Sequence, residues 1–142
     1  MLSQVESLCG LLDSYPYGYN VRMALQIPKP LQWVGSSKKD LLAMPGGVMD
    51  VVGYALHMAQ MGLKHDQTKV LRGFGSAGVL EVIEDDDGST YRAVYTVRFR
   101  NAVYVLHCFQ KKSHKGIATP KHDLDVVTAR LKLAKQHSEG RG

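Results

Sequence analysis

The sequence predicts an α+β domain in the order β-α-α-β-β-β-α, an antiparallel meander with its helices packed on one face. Between residues 79 and 110, three runs rich in Val, Tyr, Phe and Thr are separated by short turn-forming stretches, as consecutive antiparallel strands require. Ahead of them, "VMDVVGYALHMAQMG" (48–62) repeats apolar residues at helical spacing. Behind them, Leu124, Val127, Leu131 and Ala134 recur with the same period. Strands grouped together and flanked by helices define this class. A chain of 142 residues is long enough for one domain with a substantial core.

Residues 1–28 stand apart as an N-terminal arm or extension of unknown role, turn-like and aromatic in "SYPYGYN" and poor in charge. The domain proper spans 29–142. "PLQWV" (30–34) is a short strand candidate ending at Gly35. Ser36 or Ser37 then caps a helix through "KKDLLAM", because a hydroxyl there accepts from an orphan N–H of the first turn. Pro45-Gly46-Gly47 interrupts, and the 48–62 helix follows with Gly62 as its C′ residue. Val48, Val52, Ala55, Met58 or Ala59, and Met61 mark its apolar face. "KVLRGFGSAG" reads as a glycine-rich connection. The meander comprises Val79–Glu84, Thr90–Phe99 and Ala102–Gln110, joined by "DDDGS" and by Arg100-Asn101. A last helix runs from Pro120 to about His137, with Thr119 as N-cap and Asp123 and Asp125 complementing its dipole.

Composition narrows the function classes. Hydrophobic and charged fractions of 44% and 22% are ordinary for a globular protein, and the net charge of +5 favours a polyanionic partner. Two cysteines, Cys9 and Cys108, are too few for a disulfide framework or a zinc site. Cys108 sits in a strand and reads as a core residue, and a reducing, cytoplasmic setting is the default. No apolar run approaches the roughly 18 residues that cross a bilayer, and no secretory signal is evident. Glu84-Asp85-Asp86-Asp87 lacks the spaced ligands of a metal loop and reads as a solvated turn. No metal or cofactor is expected.

"YVLHCFQKKSHKG" (104–116) runs from an apolar strand into a cluster of positive charge. If Arg100-Asn101 is a two-residue loop, Arg92 falls opposite Phe109. One face then carries Arg92, Val94, Thr96 and Arg98 with Val103, Val105, His107 and Phe109. The other carries Ala93, Tyr95 and Val97 with Tyr104, Leu106 and Cys108, and is the better core face. On the first face His107 and Lys111 lie diagonal to Arg92, roughly 7–8 Å away, and Glu81 is placed to pair with it. Singly, each has a bland reading: a salt-bridged strand arginine, a structural histidine, lysines that protect an edge. Together they suit a phosphate held by guanidinium and ammonium groups, with Phe109 available for base stacking.

These residues also carry a family resemblance. "VLRGFG", "YRAVYTV" and "VYVLHCFQKKSHKGIATP" resemble the RelE/HigB-like toxins of type II toxin–antitoxin modules, and most of all their phage-derived, RelE-like branch. The likeness covers roughly residues 30–136. It implies a small RelE-like domain that cleaves mRNA at the ribosome without metal, inhibits translation, and is neutralised by a cognate antitoxin, commonly a helix-turn-helix protein. By the resemblance, Arg92 matches a strand arginine that contacts the scissile phosphate. Lys111 falls near the basic position ending the last strand, with Lys112 its neighbour, and Arg72 matches a basic loop position. Two lysines that some members carry on the preceding strand are here Glu81 and Ile83, and a tyrosine near the last helix falls around Ile117. The acid and base assignments of those members therefore do not transfer.

The expected chemistry is attack of a 2′-hydroxyl on the adjacent phosphorus. Arg92 and Lys111 would stabilise the developing charge. His107 or a lysine would transfer a proton, with Glu81 the alternative base. Arg72, Phe109, Lys112 and Lys115 would bind RNA. The competing expectation is a non-catalytic RNA-binding or regulatory homologue of the same fold.

Overall fold

A computed structural model describes residues 28–75, 78–111 and 118–141. The expected arm, residues 1–27, lies outside them. The elements are β1 (Leu31–Trp33), α1 (Ser37–Leu42), α2 (Gly46–Gln60), β2 (Thr68–Val70), β3 (Val79–Asp86), β4 (Ser89–Thr96), β5 (Val103–Lys111) and α3 (Lys121–Arg141). They form a five-stranded mixed sheet in the order β1-β5-β4-β3-β2, antiparallel except for the β1–β5 pair. The α+β class and the central meander hold. The stretch expected as a connection after α2 contains β2, three residues that pair with Leu80–Val82 at the sheet edge.

Local chemistry explains the boundaries. α2 ends in a Schellman motif: Leu63 N donates to Met58 O at 2.7 Å, and Gly62 N to Ala59 O at 3.0 Å, with Gly62 at φ +82°. The first hairpin turns on Asp87-Gly88, whose φ values of +48° and +79° are those of a two-residue turn matched to strand twist. β3 accordingly extends to Asp86, beyond the expected Glu84. α1 begins after Ser36, whose hydroxyl meets the Asp40 carboxylate at 2.7 Å instead of a backbone N–H. Ser37 is buried and donates to Val105 O, tying α1 to β5.

Helices cover both faces of the sheet, where one was expected. On one side Val48, Val52, Ala55 and Leu56 of α2 pack with Val82, Ala93, Tyr95 and Cys108. On the other, Val127 and Ala134 of α3 pack with Val79, Val94, Tyr104, Leu106 and Phe109. β5 is buried at every position but Gln110. A strand enclosed on two sides must be apolar at odd and even positions alike, and "AVYVLHCF" is such a run.

A β-bulge sets the parity of β5. Val94 pairs with His107, but the next residue, Tyr95, pairs with Val105, so Leu106 is the extra residue. The turn between β4 and β5 spans 97–102 rather than two residues. The bulge compensates for the longer turn, so Arg92 still falls opposite Phe109 as expected. Beyond the bulge the faces exchange. Val103 and Val105 join the α1–α2 side, while Tyr104 and Leu106 join the α3 side, the reverse of the expected arrangement. Arg130 of α3 donates to Leu106 O at 2.9 Å, holding the helix over the bulge.

Candidate functional site

Three rows of residues cross the α3 side of the sheet. Glu81, Val94 and His107 form one, Ile83, Arg92 and Phe109 the next, and Asp85, Thr90 and Lys111 the last. Four of the sequence-predicted residues, Arg92, His107, Phe109 and Lys111, therefore share one region of one face, and Glu81 joins them from β3. The entrance to α3 lies over this region. Arg92 is 3% exposed, Glu81 4%, Lys111 6%, and His107 and Phe109 9% each, so the group is covered by protein.

Arg92, Glu81 and His107 each have a partner that offsets part of their loss of water. Arg92 Nη1 donates to Glu81 Oε1 at 2.6 Å and to Thr119 Oγ1 at 3.1 Å. Thr119 Oγ1 in turn lies 3.2 Å from both Glu81 oxygens. The Arg92–Glu81 pairing anticipated from strand parity is thus present, and a hydroxyl joins it. His107 Nε2 lies 2.8 Å from Asp123 Oδ1 in the first turn of α3, while its buried Nδ1 has no hydrogen-bond partner among the described residues. Phe109 stacks on His107 with ring centres 4.7 Å apart and planes 19° from parallel.

Thr119 and Asp123 are the members that sequence reasoning gave other tasks. Thr119 was expected as the helix cap, but α3 begins at Lys121 and Pro120 O accepts its first bond, from Leu124 N. The Thr119 hydroxyl is turned to Arg92 and Glu81 instead. No local signal separates the two uses, because both call for a hydroxyl just before a proline-led helix. Asp123 does sit in the first turn, as expected, and also holds His107.

Beside the covered group lies an open cleft of about 670 Å³ between β2, β3 and the entrance to α3, lined by Lys69, Arg72, Glu81, Ile83, Thr119 and Leu124 among others. Lys69 and Arg72 are exposed, whereas Glu81 and Thr119 are buried. The cleft therefore has a cationic rim and a carboxylate at its base, backed by the Arg92 guanidinium. Arg72 was expected as an RNA-binding residue; Lys69 was missed with the short strand that carries it. Lys112, Lys115 and Ile117 lie outside the described residues. Among the described residues no group of three or more His, Cys, Asp or Glu is placed to hold a metal ion, and no helix is long and apolar enough to cross a membrane. Cys108 is a core residue, and burial, aided by the Asp40 charge and opposed by Arg130, pushes its thiol up to about 12. It is not a reactive thiolate.

A small α+β domain with a cation-rimmed, carboxylate-based cleft at one end of its sheet is the class that fold and site define. Residues 39–132 match the family model of the phage-derived Gp49-like proteins (DUF891), more than half of the chain, and the chain belongs to that family. The family lies within the RelE/HigB-like toxin superfamily. The matched span runs from α1 into α3 and contains Glu81, Arg92, His107 and Thr119. No curated protein and no solved structure matches the chain.

Proposed function

We propose that this chain is the toxin of a type II toxin–antitoxin module, an endoribonuclease that cleaves mRNA at the ribosome in the cytoplasm without a metal ion. The observation that carries this reading is the Glu81 carboxylate at the base of a cleft rimmed by Lys69 and Arg72, in a chain of this family. RNA phosphates bind the rim, with Lys112 and Lys115 contributing further charge. Glu81 takes the proton of the 2′-hydroxyl as its oxygen bonds to phosphorus, and the P–O5′ bond breaks to leave a cyclic phosphate and a 5′-hydroxyl. As Glu81 accepts the proton its charge is lost. The Arg92 guanidinium, whose Nη1 lies 2.6 Å from Glu81 Oε1, then directs more of its positive charge to the phosphorane and stabilises it. Lys111 adds to the same field from the end of β5.

His107 supplies the proton to the leaving oxygen. It stands in the same row as Glu81, across buried Val94, about 10 Å away at Cα by strand spacing, and in this role it would have to exchange its Asp123 contact for the leaving oxygen. The neutralising partner is an antitoxin, expected to be a helix-turn-helix protein.

A second reading, a non-catalytic RNA-binding homologue, is favoured by the carboxylate partners and cover of Arg92 and His107. Induced expression of the wild type and of Glu81→Gln, Arg92→Ala, His107→Ala and Lys111→Ala, with mapping of transcript 5′ ends, separates the two. Cleavage by the wild type that is lost in Glu81→Gln and His107→Ala supports the nuclease. Growth arrest with no new 5′ ends supports the binding protein.

A further inference from the structure

We infer that Thr119 is a positioning residue for the Glu81 carboxylate, an inference that rests on the endoribonuclease reading and deepens it. A carboxylate bound through one oxygen still turns about its last side-chain bond, where rotation is broad and roughly two-fold. Arg92 Nη1 reaches Oε1. Thr119 Oγ1 stands 3.2 Å from Oε1 and 3.2 Å from Oε2. A hydroxyl has one proton to donate and lone pairs with which to accept. Here it accepts from Arg92 at 3.1 Å and shares its proton between the two carboxylate oxygens. With Arg92 on Oε1 and the Thr119 hydroxyl across both oxygens, the carboxylate is held by two donors from different elements, and its orientation is restrained more tightly than by Arg92 alone.

Two further features separate this role from simple helix capping. Pro120, not Thr119, accepts the first bond of α3, and among the described residues the Thr119 hydroxyl bonds only to Arg92 and Glu81. Thr119 also lines the cleft beside Glu81, so the oriented carboxylate is presented where RNA would enter. The hydroxyl stands at the entrance to a 21-residue helix, and a rigid element holds a catalytic group more closely than a free loop does.

The test compares Thr119→Val, which keeps the shape and loses the hydroxyl, with Thr119→Ser, which keeps the hydroxyl. Purified proteins are assayed on ribosome-bound mRNA for kcat and KM, and their thermal unfolding is recorded. Misorienting a catalytic base costs on the order of 10²-fold, so Thr119→Val is expected to lose about that much kcat with KM nearly unchanged. Thr119→Ser is expected to keep kcat close to wild type. Wild-type kcat in Thr119→Val, or an equal loss in Thr119→Ser, overturns the inference. If Thr119→Val is unfolded at the assay temperature, Thr119→Ala replaces it with the same two outcomes. A wild type that does not cleave overturns the endoribonuclease reading itself, an outcome distinct from cleavage that ignores position 119.

Discussion

Arg92 and Glu81 are both charged and both covered, so each stabilises the fold only while the other is present. Removing one leaves an uncompensated buried charge, at a cost of about 3–5 kcal/mol. Arg92→Ala should therefore lower the denaturant midpoint strongly, and the Arg92→Ala/Glu81→Ala pair should lower it less than the two single losses combined. Loss of cleavage in Arg92→Ala thus mixes folding with chemistry; Glu81→Gln also removes a charge but keeps a hydrogen-bond acceptor for Arg92, so it is the milder variant and is read beside its own unfolding curve. Strand alternation made the Arg92–Glu81 pair legible in the sequence, and it placed His107 and Phe109 correctly. It did not reveal Thr119 or Asp123 as partners, because they arrive from a distant helix whose docking no local pattern encodes. Cys108 offers a second prediction at this scale. Its folded value of about 12 stands above the ordinary 9.0. The unfolded chain therefore loses this proton first, and stability falls as pH rises from about 9 towards 12. Comparing unfolding of wild type and Cys108→Ala across that range should show a shallower decline in the variant.

Among the elements, α2 shows where stability remains to be gained. Gly53 lies on its exposed side, and a Cβ added there meets nothing within 4 Å. Gly53→Ala should raise stability by about 0.5–1 kcal/mol, since glycine in a helix interior carries that penalty; thermal unfolding measures it. Gly62→Ala should act oppositely, because the Schellman turn holds that residue at φ +82°. The limits of sequence reading are also clearest here. α2 and α3 announced themselves by period and the three meander strands by composition, whereas β2 has three residues and no pattern to read. The bulge at Leu106 left no composition signal, yet it moved Tyr104 and Val105 to opposite faces from those expected. Arg92 kept its register because the longer turn and the bulge cancel.

At the scale of the whole molecule, the net charge of +5 becomes useful only where it meets a cavity, and Lys69 and Arg72 stand at the one beside Glu81. Binding of single-stranded RNA should weaken with salt, and each phosphate contact removed should flatten the log–log slope by about 0.7. Lys69→Ala and Arg72→Ala are expected to do so while leaving the unfolding midpoint near wild type, because both side chains are exposed. A titration over several salt concentrations tests this. The most direct measurement for the account as a whole is transcript 5′-end mapping after induction of wild type and Glu81→Gln, with both shown to be folded. The account predicts new internal 5′ ends in mRNA with the wild type and none with Glu81→Gln. Equal cleavage by the two would contradict it.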